Sequence, residues 1–303
     1  MLRLAGRGDY KGRSPCGKLT LRMNVLSIQS SVAYGHVGNA AATLPLQRMG
    51  FEVWPVNTVT LSNHPAHGGF RGRFAKAAEL RALIQGIGER GVFARCDAVL
   101  SGYLGEAANG PVVLEAVAAV KRANPNALYC CDPVMGEKDR GVYVRAGIPE
   151  FFRDHALSAS DIVIPNLFEL EFLSGRPAES IPSARAAARA LLARGPRLVI
   201  VSGLRGENGS IAVLAETKDG AWLAETPTLD VAAHGAGDAF AAMLLGHYLK
   251  RPSIGAALGR AISAQYALMQ TTARAKGKGD LALIAAQDAI LAPKTLFKAK
   301  RLR

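Results

Sequence analysis

The chain has 303 residues, 49% hydrophobic and 20% charged, a composition typical of a soluble globular protein with a sizeable core. Its formal net charge of +13 argues little for nucleic-acid binding, because residues 1–22 and 294–303 hold eleven basic residues and one acid, which leaves the rest only mildly basic. No apolar run reaches the roughly 18 uncharged residues of a membrane-spanning helix, and the four cysteines lack the paired spacing of a metal or disulfide framework.

The two ends of the chain differ in composition from the middle. Residues 1–22 are rich in glycine and arginine and lack the apolar core of a secretory signal, so we interpret them as a disordered or spurious extension. Residues 294–303 are interpreted as a basic C-terminal tail. Neither an internal repeat nor a Pro/Ser-rich linker interrupts residues 23–293, which predicts one domain. We expect a cytoplasmic protein with no nucleic-acid or membrane partner.

Apolar runs alternate with helical patterns from residue 23 onward, which predicts an α/β fold with a mostly parallel central sheet flanked by helices on both faces. The expected strands are 25–28, 52–59, 97–100, 127–131, 161–164 and 198–201, and the helices between them are 39–49, 75–88, 111–123, 150–157, 167–173 and 183–194. Asn208-Gly209 and Asp219-Gly220 then separate runs at 210–215 and 221–225, which indicates antiparallel strands toward the C-terminal part. Helices beginning near Gly235 and covering 255–271 and 281–290 complete the fold.

The segment Gly235-Ala236-Gly237-Asp238 precedes an apolar helical pattern and is the strongest candidate for a chemical site. The first amides of a helix have no intrahelical partner and the helix dipole is positive there, so small residues let an anion such as a phosphate approach the backbone. Asp238 would repel a resting phosphate, but it could accept a proton from an attacking hydroxyl group during phosphoryl transfer. The alternative is that Asp238 only stabilises the first turn of the helix.

Two further acids follow predicted strands, where ligands of open parallel sheets bind. Asn166-x-x-Glu169 resembles a capping box, which would explain both residues without chemistry. The functional alternative is that Glu169 helps to hold a hydrated Mg²⁺ against nucleotide phosphates. Asp132 has the same two interpretations, as a second magnesium-binding acid or as a turn residue ahead of Pro133.

Histidines 36, 64, 67 and 234 also fall in these loops, and loop histidines are more often structural than catalytic. Their spacing does not indicate a metal site. His64 is the best candidate for a ligand contact, because it follows Ser62 and Asn63 in a turn-rich loop.

Taken in order, the motifs of this chain resemble the pyridoxal kinases of the ribokinase-like superfamily. Gly235-Ala236-Gly237-Asp238 identifies only the superfamily, whereas Gln29-Ser30, Ser62-Asn63-His64 and Ser101-Gly102-Tyr103 favour its vitamin B6 branch over the sugar kinases. The motifs that carry the resemblance are Ile28-Gln29-Ser30, Tyr34-Gly35-His36-Val37-Gly38-Asn39, Val56-Asn57-Thr58-Val59, Ser62-Asn63-His64, Ser101-Gly102-Tyr103-Leu104-Gly105, Cys131-Asp132-Pro133-Val134-Met135-Gly136 and Asn166-x-x-Glu169.

The resemblance implies ATP-dependent phosphorylation of the 5′-hydroxymethyl group of pyridoxal to pyridoxal 5′-phosphate, in B6 salvage, by a homodimer that uses Mg²⁺ and allows a monovalent cation such as K⁺. It implies Asp238 as the base and the backbone of Gly235, Ala236 and Gly237 as the anion hole. The implied substrate-binding residues are Ser30, His64, Pro65, Ala66, Tyr103 and Asp238. On the ATP side they are Asp132, Ile164, Glu169, Ser202, Pro227, Thr228 and Leu229, with Glu169 and Asp132 at the metal.

Three positions depart from the family pattern. Pro65 replaces a usual threonine, Ser31 replaces a frequent histidine, and His234 precedes the glycine turn where threonine, proline or an aliphatic residue is commoner. These departures leave open the preference among pyridoxal, pyridoxine and pyridoxamine. Two other functions also stay open, a hydroxymethylpyrimidine or sugar kinase and a non-catalytic B6-binding protein. Phe70 and Tyr103 favour a flat aromatic substrate over a sugar, and an intact Asp238 argues against a pure carrier.

Overall fold

A computed structural model describes residues 23–275 and 279–302. The predicted extension at 1–22 lies outside the described residues. Within the described part of the chain, no helix is long and apolar enough to cross a membrane.

The strands form a mixed sheet whose centre is parallel. Within the described residues, ten strands are ordered β12-β11-β10-β9-β8-β5-β4-β1-β2-β3, and β6 pairs with β7 in a separate hairpin. The neighbours from β2 to β9 run parallel, whereas β3, β10, β11 and β12 pair antiparallel. The bounds are β1 (Asn24–Val32), β2 (Glu52–Leu61), β3 (Gly72–Phe74), β4 (Ala98–Ser101), β5 (Leu128–Cys131), β6 (Gly136–Glu137), β7 (Gly141–Val142), β8 (Ile162–Val163), β9 (Leu198–Arg205), β10 (Ile211–Thr217), β11 (Gly220–Thr226) and β12 (Lys300–Leu302).

Helices cover both faces of this sheet, which confirms the predicted fold class. Successive strand residues point to opposite faces: Val25 joins a core with residues of α1, α8 and α9, whereas Leu26 joins a core with residues of α2, α3 and α7. The helices are α1 (Asn39–Arg48), α2 (Ala77–Gly88), α3 (Asn109–Ala123), α4 (Ile148–Phe151), α5 (Leu157–Ala159), α6 (Leu167–Ser174), α7 (Ile181–Leu192), α8 (Ala236–Lys250), α9 (Ile254–Ala275) and α10 (Leu283–Leu291). A π-helical turn, Phe152–Ala156, connects α4 to α5.

Four of the short strands are not predicted by the sequence pattern. β3, β6, β7 and β12 have two or three residues each, too few for an alternating pattern to be visible. β12 falls within the segment interpreted as a basic tail, yet it pairs with β11 at the sheet edge. There the Arg301 guanidinium lies 5.6 Å from the centre of the Trp222 ring, and Nη2 donates to the Asp219 carbonyl over 2.8 Å. Charged side chains are common on edge strands because they oppose pairing with another sheet.

Candidate active site

The start of α8 lies where the carboxyl ends of the parallel strands meet, and its conformation requires glycine. Gly235 caps the helix with φ +83°. A Cβ atom at this position would lie 1.9 Å from the His36 carbonyl oxygen, so the turn packs directly on the loop between β1 and α1. Gly237 has open space where its Cβ would be. The amides of the first turn have no intrahelical partner, and the turn is open on the side of Gly237.

Asp238 is held by the same β1–α1 loop. Its Oδ2 accepts a hydrogen bond of 2.8 Å from the Gly38 amide. Gly38 has φ +56°, and a Cβ there would lie 2.0 Å from the Ser30 carbonyl oxygen, so this contact also brings Ser30 close. Burial of the carboxyl group raises the pKa of Asp238, and the Gly38 hydrogen bond opposes that rise. A carboxylate with a raised pKa is a stronger proton acceptor than an ordinary aspartate.

Glu169 completes a capping box at the start of α6, as the structural interpretation of Asn166-x-x-Glu169 predicts. Its Oε2 accepts from the Asn166 amide at 2.9 Å, and its own amide donates to Asn166 Oδ1 at 2.9 Å. Its Oε1 accepts from the Met135 amide at 3.1 Å. Glu169 is nevertheless also part of a cluster of acids, so the cap does not account for its whole environment.

Asp132, Glu169 and Asp238 form this cluster, which we call the acid cluster. Asp132 is buried directly after β5, and burial, followed by the charges of Glu169 and Asp238, raises its pKa well above the ordinary value. Burial likewise raises the pKa of Glu169 to about 8. Buried like charges are unfavourable unless a cation or a proton compensates them. The electrostatic effect of Glu169 and Asp238 on Asp132 is thus consistent with the prediction that these acids share one site.

Tyr143 is a residue at this site that the sequence analysis missed. It follows β7, and its amide donates to the Met135 carbonyl at 3.1 Å. Partial burial of the phenol, and then the charges of Glu169 and Asp132, raise the pKa of its hydroxyl group, so Tyr143 lies within electrostatic reach of the acid cluster although the residue is 43% exposed. In the sequence, only a tyrosine shortly after Gly136 could have indicated this residue. In the structure, Gly136 has no Cβ, which leaves room for the Phe168 ring and for the Gly141 carbonyl of the β6–β7 hairpin.

The predicted substrate residues come from four segments: β1 with Ser30, the loop between β2 and β3 with residues 64–66, the segment after β4 with Tyr103, and α8 with Asp238. His64 Nδ1 accepts from the Ala66 amide at 3.3 Å and so caps a short 3₁₀ turn, Pro65–His67. The His64 ring also stacks on that of His234, with ring centres 3.9 Å apart. Tyr103 packs beside the apolar side chains of Val59 and Phe74. Burial raises the pKa of its hydroxyl group, which stays protonated at neutral pH.

The residues predicted to contact ATP do not all lie in one place: apart from the two in the acid cluster, they lie in or next to an open groove, beside the start of α6, or in the core. An open groove of 590 Å³ is lined by Glu207, Asn208, Gly209, Ser210, Glu225, Thr226, Pro227 and Thr228. Leu229 follows this groove directly, and Ser202 pairs with Asn166 at the start of α6. Ile164 is only 4% exposed, with its side chain among the core residues beneath α8. The prediction for Ile164 therefore has no exposed side chain to support it.

Comparisons with known proteins show which family this chain belongs to. The family described as phosphomethylpyrimidine kinase matches residues 91–281. Pyridoxal kinase PdxY of Rubrobacter xylanophilus is 50% identical over 92% of this chain and 98% of its own length. Pyridoxal kinase PdxY of Deinococcus radiodurans is 47% identical over 93% of this chain and 98% of its own length. The chain belongs to the pyridoxal kinase family. A solved structure of a pyridoxal kinase, that of Leishmania donovani with ADP and pyridoxamine, superposes with a TM-score of 0.87 at 28% identity, over 92% of this chain and 99% of that one.

Proposed function

We propose that this pyridoxal kinase family member transfers the γ-phosphoryl group of ATP to the 5′-hydroxymethyl group of pyridoxal, giving pyridoxal 5′-phosphate and ADP in B6 salvage. The observation that carries the proposal is the start of α8. There, unpaired amides lie beside the Asp238 carboxylate, which the Gly38 amide holds at 2.8 Å. Relatives at 47–50% identity bear the name pyridoxal kinase, which supports the same reaction.

In this reaction Asp238 accepts the proton of the substrate hydroxyl group as its oxygen attacks the γ-phosphorus. One O–P bond forms, the bond from the γ-phosphorus to the bridging oxygen of ADP breaks, and the proton passes from Asp238 to solvent. The amides of the Gly235–Asp238 turn and the positive end of the α8 dipole stabilise the charge on the transferred group. Positioning and electrostatics supply most of the acceleration in phosphoryl transfer.

We also propose that Asp132 and Glu169 hold Mg²⁺ together with nucleotide phosphates and water. Within residues 23–275 and 279–302, no group of three or more His, Cys, Asp or Glu side chains is arranged to bind a metal ion unaided. The acid cluster nevertheless fits a magnesium–nucleotide complex, because a cation would stabilise the charged form of two buried carboxylates whose pKa values are raised. When bound, the metal neutralises phosphate charge. Glu169, whose oxygens already accept amide hydrogens, would contact the metal through water.

The substrate side fits a flat ring. Tyr103 and the neighbouring apolar residues Val59 and Phe74 provide a wall, whereas a sugar would need several buried hydrogen-bond partners. Pyridoxal kinases of Leishmania donovani are described in complex with ADP and pyridoxamine or pyridoxine, which favours B6 vitamers over other alcohols. We expect Ser30 and His64 to contact the ring, and Pro65 and Ala66 to contribute backbone or apolar contacts.

On the nucleotide side, the groove beside Pro227 and Thr228 supports a binding place for the adenosine part of ATP. We also propose that the protein is a cytoplasmic homodimer and that a monovalent cation such as K⁺ takes part in the reaction. Sedimentation velocity tests the dimer, and replacing K⁺ by a bulky organic cation tests the monovalent ion.

A substrate panel tests the reaction directly. Pyridoxal, pyridoxine, pyridoxamine, hydroxymethylpyrimidine and ribose are each incubated with ATP and Mg²⁺, and the phosphorylated product is measured. We expect the B6 vitamers to be phosphorylated, with kcat/KM at least about 10-fold above that for ribose, because a mismatched polar group costs that much or more. Turnover of hydroxymethylpyrimidine alone would overturn the substrate assignment, and absence of any product would favour a non-catalytic binding protein.

A further inference from the structure

Three histidine rings are in contact beside the start of α8, and a fourth histidine, His36, lies on the adjoining β1–α1 loop and is affected by the same acid, Asp280. None of the four is needed for the proton transfer described above. We call His36, His64, His67 and His234 the histidine cluster. The rings of His64 and His234 are stacked with an interplanar angle of 22°. The His67 ring contacts both of them edge-on, with its ring centre 6.5 Å from that of His64 and 6.4 Å from that of His234.

Asp280 is the acid that links the members of this cluster. Its Oδ1 lies 3.3 Å from His67 Nε2, with both side chains largely buried. The same carboxylate acts electrostatically on His36, His64 and His234. A Cβ atom at Gly35 would lie 2.8 Å from Asp280 Oδ1, so the carboxylate is packed against the β1–α1 loop as well.

The backbone fixes Asp280 beside His234. The His234 amide donates to the Gly279 carbonyl at 2.8 Å, and His234 and Asp280 form an isolated parallel bridge. The segment after α9 is thereby attached to the residue that precedes the Gly235 turn. Through His67, the same segment is attached to the loop that carries His64.

This arrangement determines which nitrogen of His64 carries the proton. Nδ1 accepts from the Ala66 amide, and an accepting ring nitrogen has no proton, so the neutral ring is protonated on Nε2. The ring is neutral at physiological pH because burial, and then the charges of His234, His67 and Arg140, lower the pKa of His64 to about 4. His64 therefore presents an N–H donor.

We propose that Asp280 and His234 are positioning residues for the vitamin substrate, which fasten the His64 loop to the start of α8 so that the His64 donor meets the substrate ring. The proposal rests on the proposed function, since it assumes that the ligand of this loop is a B6 vitamer. Asp280 acts on the loop through His67, and His234 acts on His64 by ring stacking. Neither residue takes part in the transfer itself.

Asp280→Ala and Asp280→Asn provide the first test, because asparagine keeps an oxygen that can accept from His67 and alanine does not. We expect Asp280→Ala to raise the KM for pyridoxal about 10-fold, with kcat and the KM for ATP within 2-fold of the unchanged chain, since a lost hydrogen bond and loop order amount to roughly 1.4 kcal/mol. Asp280→Asn should keep most of the affinity. The control is Asp288→Ala, an exposed acid on α10 that contacts Arg48.

His234→Phe and His234→Ala provide the second test. Phenylalanine preserves a flat stacking surface, so we expect its KM for pyridoxal to stay within about 3-fold of the unchanged chain, whereas alanine should raise it about 5- to 10-fold. Nitrogen NMR of the histidine rings gives a readout independent of activity. His64 should show the Nε2–H tautomer in the unchanged chain and in His234→Phe, and a mixture of tautomers in Asp280→Ala.

The outcomes distinguish a failure of the positioning role from a failure of the proposed function. If the unchanged chain phosphorylates no vitamer, the proposed function fails. If it is active and Asp280→Ala folds with an unchanged KM for pyridoxal, the positioning role is wrong and the function stands. If Asp280→Ala lowers kcat, raises the KM for pyridoxal and for ATP together, and lowers the thermal stability, Asp280 serves the fold alone. That result would also overturn the positioning role.

Discussion

The helices α6 and α8 begin with the same arrangement of residues and use it in opposite ways. In each, an acid is the third residue of the first turn, Glu169 after the cap Asn166 and Asp238 after the cap Gly235. Glu169 turns back to its own helix and satisfies the Asn166 amide. Asp238 instead accepts from Gly38, 200 residues away in the sequence.

The difference shows when a helix start can bind an anion. At α6 the side chain of Asn166 occupies the Glu169 amide, so the cap is complete without a ligand. At α8 glycine provides no side chain, and the amides keep their capacity to donate. The first amides of α8 thus have no side-chain cap, and its acid is held by the β1–α1 loop; the following changes test this contrast with α6.

Asp238→Asn should have the largest effect. Asparagine can still accept from the Gly38 amide through its side-chain oxygen, so the turn should keep its shape and bind ATP. It cannot take a proton from the substrate hydroxyl group, and we expect kcat to fall about 10²- to 10⁴-fold. Steady-state kinetics and calorimetric ATP binding check both parts. A kcat within 3-fold of the unchanged chain would remove the base from the mechanism.

The pH dependence of kcat/KM in the unchanged chain also tests Asp238 as the base. Protonated Asp238 cannot act as a base, so kcat/KM should rise as the pH rises through its pKa. Because burial raises that pKa, the acidic limb should lie at a higher pH than an ordinary aspartate would give. The profile of kcat/KM from pH 4 to pH 8 measures it, and the limb should be absent from the residual activity of Asp238→Asn.

Gly235→Ala compared with Gly237→Ala separates the shape of the α8 turn from its openness. Alanine at 235 combines a positive φ with a Cβ clash against the His36 carbonyl, so we expect a loss of about 2–4 kcal/mol in the free energy of unfolding and at least about 100-fold in kcat/KM. Alanine at 237 meets open space inside a helix and should change stability by no more than about 1 kcal/mol. Its methyl group would still obstruct the phosphate, so kcat/KM should fall about 10-fold. Urea denaturation with kinetics distinguishes the two, and equal stabilities would contradict the interpretation.

Glu169→Ala compared with Glu169→Gln makes the corresponding test at α6. Glutamine can still accept at the cap, whereas alanine cannot, so we expect alanine to lower the free energy of unfolding by about 1–2 kcal/mol and glutamine by less than about 0.5 kcal/mol. Both remove the charge, and both should raise the Mg²⁺ concentration needed for half-maximal activity. Denaturation curves and magnesium titrations check this. A magnesium requirement unchanged in Glu169→Gln would leave Glu169 with a structural role alone.

The sequence predicts the long elements and the residues of the α8 turn because each follows from local pattern. Strands with continuous apolar runs, such as the start of β9, and helices with regular spacing, such as α7, can be recognised without tertiary information. The same is true of Asn166-x-x-Glu169, whose capping box depends on one turn of chain.

What the sequence could not give depends on contacts between distant segments. The strand β12 forms only because β11 provides an edge, and its lysine and arginine residues resemble a solvated tail. The position of Tyr143 near the acid cluster depends on the β6–β7 hairpin and on the Gly136–Phe168 contact. The stacking of His64 on His234 joins residues 170 positions apart, and no spacing in the sequence indicates it.

Gln265→Leu should have the smallest effect, and it tests whether the start of α8 depends on a contact from outside the helix. Gln265 Nε2 on α9 donates to the Ala236 carbonyl at 3.1 Å, a support from outside the helix. Its Oε1 is buried without a hydrogen-bond partner among the described residues, so leucine removes an unsatisfied atom as well as one hydrogen bond. We expect the two effects to offset each other within about 1 kcal/mol, and kcat to fall less than about 3-fold. Thermal denaturation and kinetics measure this. A larger loss of kcat at unchanged stability would show that the α8 turn depends on α9 for its geometry, whereas the capping box of α6 lies within its own turn.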